Sequence, residues 1–544
     1  MQKRTLVILL IILAVAVFLR FYRLATLPPS LEWDEVATGY DANSILKTGR
    51  DQYGNWLPLT FRSIDDYKPP LYTYLTTVSI AVWGWNDFAV RFPAALLGAL
   101  AIVTTYGMTY ALFASQPVAL LTAFFLAVSP WHVGFSRLAL ETNSTIFFMT
   151  AGTWAFLLGR KKGMYLPIAA LFFGLNLFLY HNARVFVPLF GFGLLLLFWK
   201  DIWQQKKYAI ASAVITFLFL VRLIPIVTSI EGQMRFQGTS IFTPALTQEM
   251  AARKVNYGTW LSDDQLANTG SIGKLFHNQY VFYGLLILKN YLVHFDPSFW
   301  LFTNDYVRHH VSEMGILYFI DLPLLLLGWY FLLRNANRKI TLLLILWFLL
   351  APIPAAVTRD VPHALRTEIM LPVFQMVIAW ASVTLYSRFK RRLLLRQVFV
   401  GVLILLYVIN ISFFLHQYFV HFAKDTSRGW QYGRREAAQF AESIKENFDQ
   451  IIVSTELEQP HVFFLYYLKY DPARYLSEGG TVSGGWAEQG NHFDKYYFRR
   501  FDYDQEKTSR RLFIGLPTDF PTHAVPVERI KYLNGQDAIW IVPG

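Results

Sequence analysis

Long apolar runs constrain this chain more than any other feature of its sequence. The first run, "LVILLIILAVAVFLRFY", follows Lys3 and Arg4, and similar runs recur through most of the 544 residues. About 20 apolar residues are enough for a helix to cross the hydrocarbon layer of a bilayer. No small-residue cleavage site follows the first run, so we expect an uncleaved helix that starts in the cytoplasm. The runs predict a polytopic α-helical membrane protein.

Composition and charge agree with a membrane protein and exclude several other classes. The net charge of +12 (49 basic and 37 acidic residues) is compatible with nucleic-acid binding. However, the basic residues cluster in short loops between apolar runs, which is the positive-inside pattern of membrane proteins. We therefore predict no nucleic-acid partner. The chain has no cysteine, which excludes disulfides, thiolate metal sites and cysteine nucleophiles.

The basic clusters at 1–4, 159–163, 200–207, 334–339 and 388–396 set the expected orientation. If all five clusters are cytoplasmic, about eleven spans result and the C-terminal tail lies outside the cell. The predicted spans are 5–22, 90–113, 117–135, 141–159, 164–180, 185–199, 208–225, 315–333, 340–357, 368–387 and 397–416.

Two further apolar stretches, 71–86 and 278–293, do not fit this alternation. Counting both as full spans gives about thirteen spans, but it moves two basic clusters to the outer side, against the charge rule. We therefore predict interfacial or partly inserted helices there. The outer loops are then 23–89, 136–140, 181–184, 226–314 and 358–367.

The tail has a different character from the rest of the chain. "GRREAAQFAESIKENF" has the spacing of an amphipathic helix, and "DQIIVSTE", "RLFIGLP" and "DAIWIVPG" read as short strands. The sequence therefore predicts a transmembrane domain at 1–416 and a small extracytoplasmic α/β domain at 417–544.

Charged residues in the first predicted outer loop are candidate functional groups. Asp34 and Glu35 follow the first helix, and Lys68 precedes Pro69 and Pro70 in "YKPPLYTYL". Two successive prolines fix the backbone in an extended form just before a helix start. A lysine at that depth can meet an anion at the lipid headgroup level. The alternative interpretation is a solvated loop with a membrane-anchoring lysine.

The order of these motifs resembles the catalytic loop of the GT-C glycosyltransferases of family 39, the protein O-mannosyltransferase and aminoarabinose transferase relatives. The elements are a first helix, "WDE", "YKPPLYTYL", and "WNDFAVRFPAALLGAL" at the start of the next span. The resemblance covers residues 1–200 well and the remainder only as topology.

The resemblance implies roles for four residues. Asp34 matches the acid that serves as catalytic base or orients the acceptor, and Glu35 matches the second acid. Lys68 matches the basic residue that contacts the lipid phosphate, and Arg91 matches an arginine of the mannosyltransferases. The aminoarabinose branch has a metal-binding glutamate before its lysine, where this chain has Tyr67. We therefore predict no certain cofactor, and a divalent metal is the less favoured alternative.

The chemistry can also be argued from the residue types. Nucleotide sugars are absent outside the cell, so a polyprenyl-phosphate sugar is the plausible donor for a membrane transferase there. Lysine or arginine stabilises the charge that grows on the leaving phosphate. A carboxylate takes or orients the proton of the acceptor hydroxyl. An aspartate has a reference pKa of about 3.9 and is ionised near neutral pH, as this role requires.

Other outer-side residues are candidates for contact with phosphate or sugar, the alternative being interfacial anchors or loop caps. These are Arg137, His181, Arg184, His363 and Arg366. A second group, in "VHFDPSFW" and "NDYVRHH", is a candidate metal site, although such residues more often cap loops: His294, Asp296, His309 and His310.

We therefore predict an integral plasma-membrane glycosyltransferase that moves a sugar from a polyprenyl phosphate to a glycan, lipid or protein acceptor at the outer face, with inversion. One alternative is a flippase or transporter for a lipid-linked sugar, which would use the basic residues but not Asp34. Ionisable residues lie at span ends rather than mid-span, which weakens a transporter. The other alternative is a glycan polymerase or ligase that relies on arginines in a large outer loop.

Overall fold

Helices dominate the chain up to Thr426, and each predicted span coincides with one or two of them. The structure is a computed structural model that describes residues 3–63, 66–242, 248–302, 305–485 and 488–544. The helices of the first half are α1 (Lys3–Phe21), α2 (Trp33–Thr48), α3 (Leu71–Trp83), α4 (Asp87–Phe113), α5 (Gln116–Val128), α6 (Pro130–Phe135), α7 (Glu141–Gly159), α8 (Tyr165–Asn176), α9 (Ala183–Gln204), α10 (Lys206–Thr228), α11 (Ile230–Thr239), α12 (Gln248–Leu266) and α13 (Gly270–Phe276). They are followed by α14 (Gln279–Leu292), α15 (Pro297–Leu301), α16 (Asp321–Asn335), α17 (Arg338–Leu350), α18 (Ile353–Ala356), α19 (Ala364–Thr367), α20 (Leu371–Arg388), α21 (Leu393–His416) and α22 (Phe422–Thr426).

The prediction of a polytopic helical membrane protein is confirmed. Among the described residues, 7 helical segments are long and apolar enough to cross a membrane, and α3, α5 and α8 are shorter apolar helices. The stretches 71–86 and 278–293 form α3 and α14, with 13 and 14 residues. Both are shorter than the roughly 20 residues that a straight crossing needs. The number of spans, eleven or thirteen, remains a prediction.

The helical part buries one large apolar core. α4 packs against α1, α5 and α7, and α20 packs against α5 and α16. Apolar side chains on the facing stripes of these helices, such as Ile102, Leu126 and Met149, are fully buried. This bundle gives the loop after α1 a rigid support.

The tail forms a mixed six-stranded sheet with helices α23 (Arg434–Ile444), α24 (Pro460–Tyr467), α25 (Pro472–Ser477) and α26 (Tyr503–Glu506). The strands are β3 (Gln450–Val453), β4 (His492–Phe493), β5 (Tyr496–Phe498), β6 (Arg511–Gly515), β7 (Glu528–Lys531) and β8 (Asp537–Pro543); β1 (Phe61–Arg62) and β2 (Tyr67–Lys68) pair earlier in the chain. The strand order is β4-β5-β3-β6-β8-β7, and β3 runs parallel to both β5 and β6. The predicted amphipathic helix and three predicted strands are present as α23, β3, β6 and β8.

The tail packs on the segment between α1 and α4. Helix α2 contacts α24 and α25, and Val36 and Tyr40 of α2 share an apolar core with Val453 and Phe464 of the tail. Arg435 of α23 also forms an ion pair with Asp87 at the start of α4. Helix α2 therefore lies between the helical bundle and the tail. The boundary at 416/417 and the extracytoplasmic position of the tail remain predictions.

Candidate active site

The "WDE" motif forms the first turn of α2. The backbone N–H of Glu32, the residue before the helix, donates to Oε2 of Glu35 at 3.2 Å. This hydrogen bond at the helix start satisfies a backbone donor that has no partner within the helix. Carboxylates are also favoured there by the helix dipole. The two acids therefore sit at a fixed helix end rather than in an irregular loop.

Lys68 contacts Asp34. Lys68 ends β2, and its Nζ lies 2.7 Å from Oδ1 of Asp34. Ser63 also donates to Oδ1 of Asp34, at 3.1 Å. The side chain of Lys68 is 9% exposed and that of Asp34 is 27% exposed. The acid after the first helix and the lysine before the two prolines thus meet, and Asp34 is the more exposed of the two.

The environment of Lys68 keeps it charged. Burial alone would lower the pKa of the Lys68 ammonium, but the carboxylates of Asp34 and Glu141 outweigh burial and raise that pKa above its ordinary value. A permanently cationic group is therefore held beside an acceptor-only carboxylate.

Glu35, the second acid of the motif, is fully buried and pairs with Arg91. Nε and Nη2 of Arg91 donate to the two Glu35 oxygens at 2.9 and 2.8 Å. The remaining Arg91 donors reach the backbone oxygens of Leu24, Pro28 and Ser30. All five N–H groups of the guanidinium are thereby used. The pair ties α2 and α4 to the turn that leaves α1, and neither side chain faces an open pocket.

Arg137 has a similar supporting position. Its Nη1 donates to the backbone oxygens of Leu19 and Arg20, and its Nη2 donates to those of Tyr22 and Leu27. These oxygens lie at the end of α1 and in the turn that follows, where helix carbonyls lack internal partners. Arg137 therefore supports the turn between α1 and α2, the helix that carries Asp34.

His181 and Arg184 lie beside Lys68. The ring nitrogen Nε2 of His181 is 3.1 Å from the backbone oxygen of Tyr67, and its Nδ1 is 3.1 Å from Nη1 of Arg184. The backbone N–H of Leu71 donates to the oxygen of Phe178 at 3.0 Å. These hydrogen bonds join the turn between α8 and α9 to β2, the strand that ends at Lys68. Arg184, a second cationic group, therefore lies near the predicted phosphate position.

Arg308 belongs to the same site, and the sequence analysis missed it. Its Nη1 donates to Oε2 of Glu32 at 2.8 Å, and its guanidinium lies 6.0 Å from the ring centre of Trp33. Burial raises the pKa of the Glu32 carboxyl to about 8, although Arg308 opposes that rise. The signal in the sequence was an arginine among aromatic residues in a long outer loop, but nothing local indicated its partner.

His363 and Arg366 lie in the outer loop before α20, next to the segment that carries Arg308. Arg366 donates from Nη1 to Oγ1 of Thr358 at 2.6 Å and to the backbone oxygen of Asp360 at 3.1 Å. The His363 ring packs on that of His309, with centroids 5.2 Å apart. Asn182, which follows His181, donates to the backbone oxygen of Arg366 at 2.6 Å, so this loop also contacts the turn between α8 and α9.

One group of residues has the spacing of a metal site. Among the described residues, this group is formed by Asp305, His309 and His363. Each offers one ligand atom, and the three atoms lie within 4.8 Å of one another. Nδ1 of His309 is already 2.8 Å from Oδ2 of Asp305. Two imidazoles and a carboxylate suit a transition metal such as zinc. This group replaces the predicted set, of which only His309 takes part: His294, Asp296 and His310 lie outside it.

Comparison with known proteins agrees with this architecture. Residues 67–224 match the family model described as dolichyl-phosphate-mannose-protein mannosyltransferase. A Bacillus subtilis protein named "Putative mannosyltransferase YkcB" is 26% identical over 178 residues, which is 32% of this chain. The chain spans only 23% of that relative's length.

Solved structures share the fold over nearly the whole chain. ArnT from Cupriavidus metallidurans, solved bound to undecaprenyl phosphate, has a TM-score of 0.55 at 13% identity, with 98% of this chain and 97% of that chain covered. The Archaeoglobus fulgidus oligosaccharyltransferase tethered to an acceptor peptide has a TM-score of 0.52 at 13% identity, with 86% and 63% covered. At these identities the likeness shows the fold.

The chain is a polytopic membrane protein whose fold is similar to that of the GT-C glycosyltransferases. Within that class, the resemblance to family 39 that "WDE" and "YKPP" suggested is confirmed by the matched family model and the fold.

Proposed function

We propose that the protein is a membrane glycosyltransferase that moves a sugar from a polyprenyl-phosphate donor to an acceptor hydroxyl at the extracytoplasmic face, with inversion. The observation that carries this proposal is the 2.7 Å contact between Lys68 and Asp34, which joins a cation and a carboxylate at an accessible helix end. The description of ArnT as bound to undecaprenyl phosphate supports the donor class.

Lys68 would bind the donor phosphate and stabilise it as the leaving group. The bond between the sugar C1 and the phosphate oxygen breaks, and its electron pair passes to that oxygen. A fixed cation in a water-poor site stabilises this growing charge more than water does. The phosphate would take the place of Asp34 as the partner of Lys68. Arg184, which is joined to the Lys68 strand through His181, would contribute further positive charge.

Asp34 would act on the acceptor. Once the phosphate occupies Lys68, the Asp34 carboxylate is released from its ion pair and can accept the hydroxyl proton as the acceptor oxygen bonds to C1. Attack from the side opposite the phosphate gives inversion. The partial exposure of Asp34, against the full burial of Glu35, supports Asp34 as the base.

Glu35, Arg91 and Arg137 would serve as positioning residues. Their contacts are saturated or directed to backbone oxygens around the end of α1, so they fix α2 rather than meet the substrate. Breaking a buried ion pair typically costs about 3–5 kcal/mol. The predicted catalytic role of Glu35 and substrate contact of Arg91 and Arg137 are therefore not part of this proposal. His363 and Arg366 would shape the outer loop wall.

An apolar groove between α8, α9 and α10 would hold the polyprenyl chain. The groove has a volume of about 510 Å³, and one of its lining residues, Leu177, accepts a hydrogen bond from Nε of Arg184 at its backbone oxygen. A hydrocarbon chain in the groove would thus have its phosphate end near His181 and Lys68. Its lining residues include Phe156, Leu166, Phe173, Leu177, Val187, Leu195, Phe217 and Leu220.

The test follows polyprenyl-phosphate release from a purified, reconstituted protein given a polyprenyl-phosphate hexose and acceptor. We expect Asp34→Asn to slow release by about 10²–10⁴-fold, because a general base is lost, and Lys68→Ala to slow it by about 10²–10³-fold. A flippase would instead retain translocation of the lipid-linked sugar in Asp34→Asn.

Asp201→Asn is the matched control. Asp201 pairs with Arg160 and its side chain is 29% exposed, against 27% for Asp34, but it lies at a predicted cytoplasmic loop. We expect native release from this variant. Native release from Asp34→Asn would contradict the proposed base.

A further inference from the structure

The tail contains a polar cleft that the proposed transfer chemistry does not use. The cleft has a volume of about 680 Å³ and lies at the ends of β3 and β5. It is lined by Thr455, Glu456, Glu458, Glu488, Gln489, Arg499 and Arg500. Clefts of this size are typical of sites for small molecules or short oligomers.

The topology of the sheet favours a ligand at this edge. The chain passes from β3 to β5 on one side and then to β6 on the other side of β3, and all three strands are parallel. Ligands of open α/β sheets bind outside the carboxyl ends of the strands, where the strand order reverses. Glu456 and Glu458 follow β3, and Arg499 and Arg500 follow β5, so the cleft lies at that point.

Two features of its wall are costly for a purely structural surface. Glu488 is buried, and among the described residues its Oε2 has no hydrogen-bond partner, although its Oε1 accepts from Asn491 and pairs with His461. Glu458 has a backbone φ of 57°, a left-handed conformation that non-glycine residues rarely adopt. A buried carboxylate oxygen without a partner and a strained backbone position are both typical of ligand sites.

The cleft is connected to the candidate active site through one side chain. Oε1 of Gln431 accepts from the backbone N–H of Trp33 at 2.9 Å, and its Nε2 donates to Oε2 of Glu458 at 3.3 Å. Trp33 directly precedes Asp34. One side chain, Gln431, therefore separates Glu458 of the cleft from the turn of α2 that carries Asp34.

The charges of the cleft define the ligand. Three carboxylates and two guanidinium groups line the cleft. Arg500 pairs with Glu456 at 2.6 Å, and Arg499 pairs with Glu506. The carboxylates disfavour a phosphorylated ligand, and the arginines disfavour a polycation. Hydroxyl groups can donate to carboxylates and accept from guanidinium groups. The pattern thus suits a neutral, hydroxyl-rich chain.

We propose that this cleft binds the acceptor, and that the acceptor is a neutral oligosaccharide chain whose end reaches Asp34. That the bound oligosaccharide is the acceptor rests on the proposed function. Binding in the cleft does not depend on Asp34 or Lys68.

The experiment measures binding of three neutral probes, mannotetraose, maltotetraose and chitotetraose, to the full-length protein in nanodiscs by calorimetry. We expect at least one probe to bind, and Arg500→Gln and Glu488→Gln each to raise its Kd by about tenfold, since hydrogen bonds to charged groups are lost. Tetralysine and tetraphosphate serve as charged probes and should not bind the cleft.

Arg510→Gln is the matched control. Arg510 pairs with Asp449 at the amino ends of β3 and β6, opposite to the strand ends that form the cleft. The side chain of Arg510 is 74% exposed, against 80% for Arg500. We expect a native Kd value for this variant. The inference is overturned if no neutral probe binds up to about 10 mM, if only a charged probe binds, or if Arg500→Gln and Arg510→Gln behave alike. Oligosaccharide binding without polyprenyl-phosphate release would instead contradict the proposed function alone.

Discussion

At the residue scale, the two adjacent acids of "WDE" have different environments. Successive residues of an α-helix point about 100° apart, so Asp34 reaches Lys68 while Glu35 is directed into the bundle toward Arg91. The family resemblance implied roles for Asp34 and Lys68 in one reaction, and the two side chains are in contact. The sequence did not separate the roles of the two acids, because burial depends on α4 and the turn after α1.

The raised pKa of Glu32 gives a prediction about pH. With its pKa raised from 4.5 to about 8, Glu32 is protonated at neutral pH and ionises in the folded protein as pH rises through 8. Because the carboxyl of the unfolded chain already ionises near pH 4.5, the contribution of Glu32 to folding stability is lost between about pH 4.5 and 8. The new negative charge also lies near the proposed phosphate position. We expect the donor KM to rise between pH 7 and 9 in the native protein and to stay flat in Glu32→Gln, measured by polyprenyl-phosphate release. An equal rise in both proteins would show that Glu32 is not the group responsible.

At the element scale, α2 is the shared support of bundle, site and tail. Gly39 lies at its closest approach to both neighbours: a Cβ added there would lie 2.7 Å from Tyr466 of the tail and 2.8 Å from Val90 of α4. Both neighbours are buried and cannot move aside. The sequence showed Gly39 only as a glycine in a polar helix, because close packing between distant segments leaves no local pattern.

We therefore expect Gly39→Ala to destabilise the protein by about 1–3 kcal/mol, as overpacking does, and to lower its thermal midpoint in detergent. Gly191→Ala in α9 is the control, since an added Cβ there meets nothing within 4 Å. Equal midpoints for the two variants would mean that α2 does not pack tightly between α4 and the tail.

At the scale of the whole molecule, the sequence predicted the helical bundle and the presence of a β-containing tail well. Apolar runs and basic clusters are strong, additive signals. The short strands β4, β5 and β7 were not predicted, because two to four residues carry too little pattern. The link from Gln431 to Trp33 was also missed, since it joins residues far apart in the chain.

Orientation is a prediction that labelling can test. The chain has no cysteine, so single cysteines can be introduced directly. Ser477 in the tail and Lys162 in a basic loop are both exposed. We expect a membrane-impermeant maleimide to label Ser477→Cys in intact cells and Lys162→Cys only after permeabilisation. Labelling of both from the same side would reverse the predicted topology.

The most direct test of the central claim is the Kd of undecaprenyl phosphate, measured for the native protein and two variants. If the phosphate replaces Asp34 as the partner of Lys68, Lys68→Ala should weaken binding by about tenfold or more. Asp34→Asn should bind as tightly as the native protein or tighter, because a competing carboxylate is removed, even though its turnover is slow. Weaker binding in Asp34→Asn, or unchanged binding in Lys68→Ala, would contradict the account.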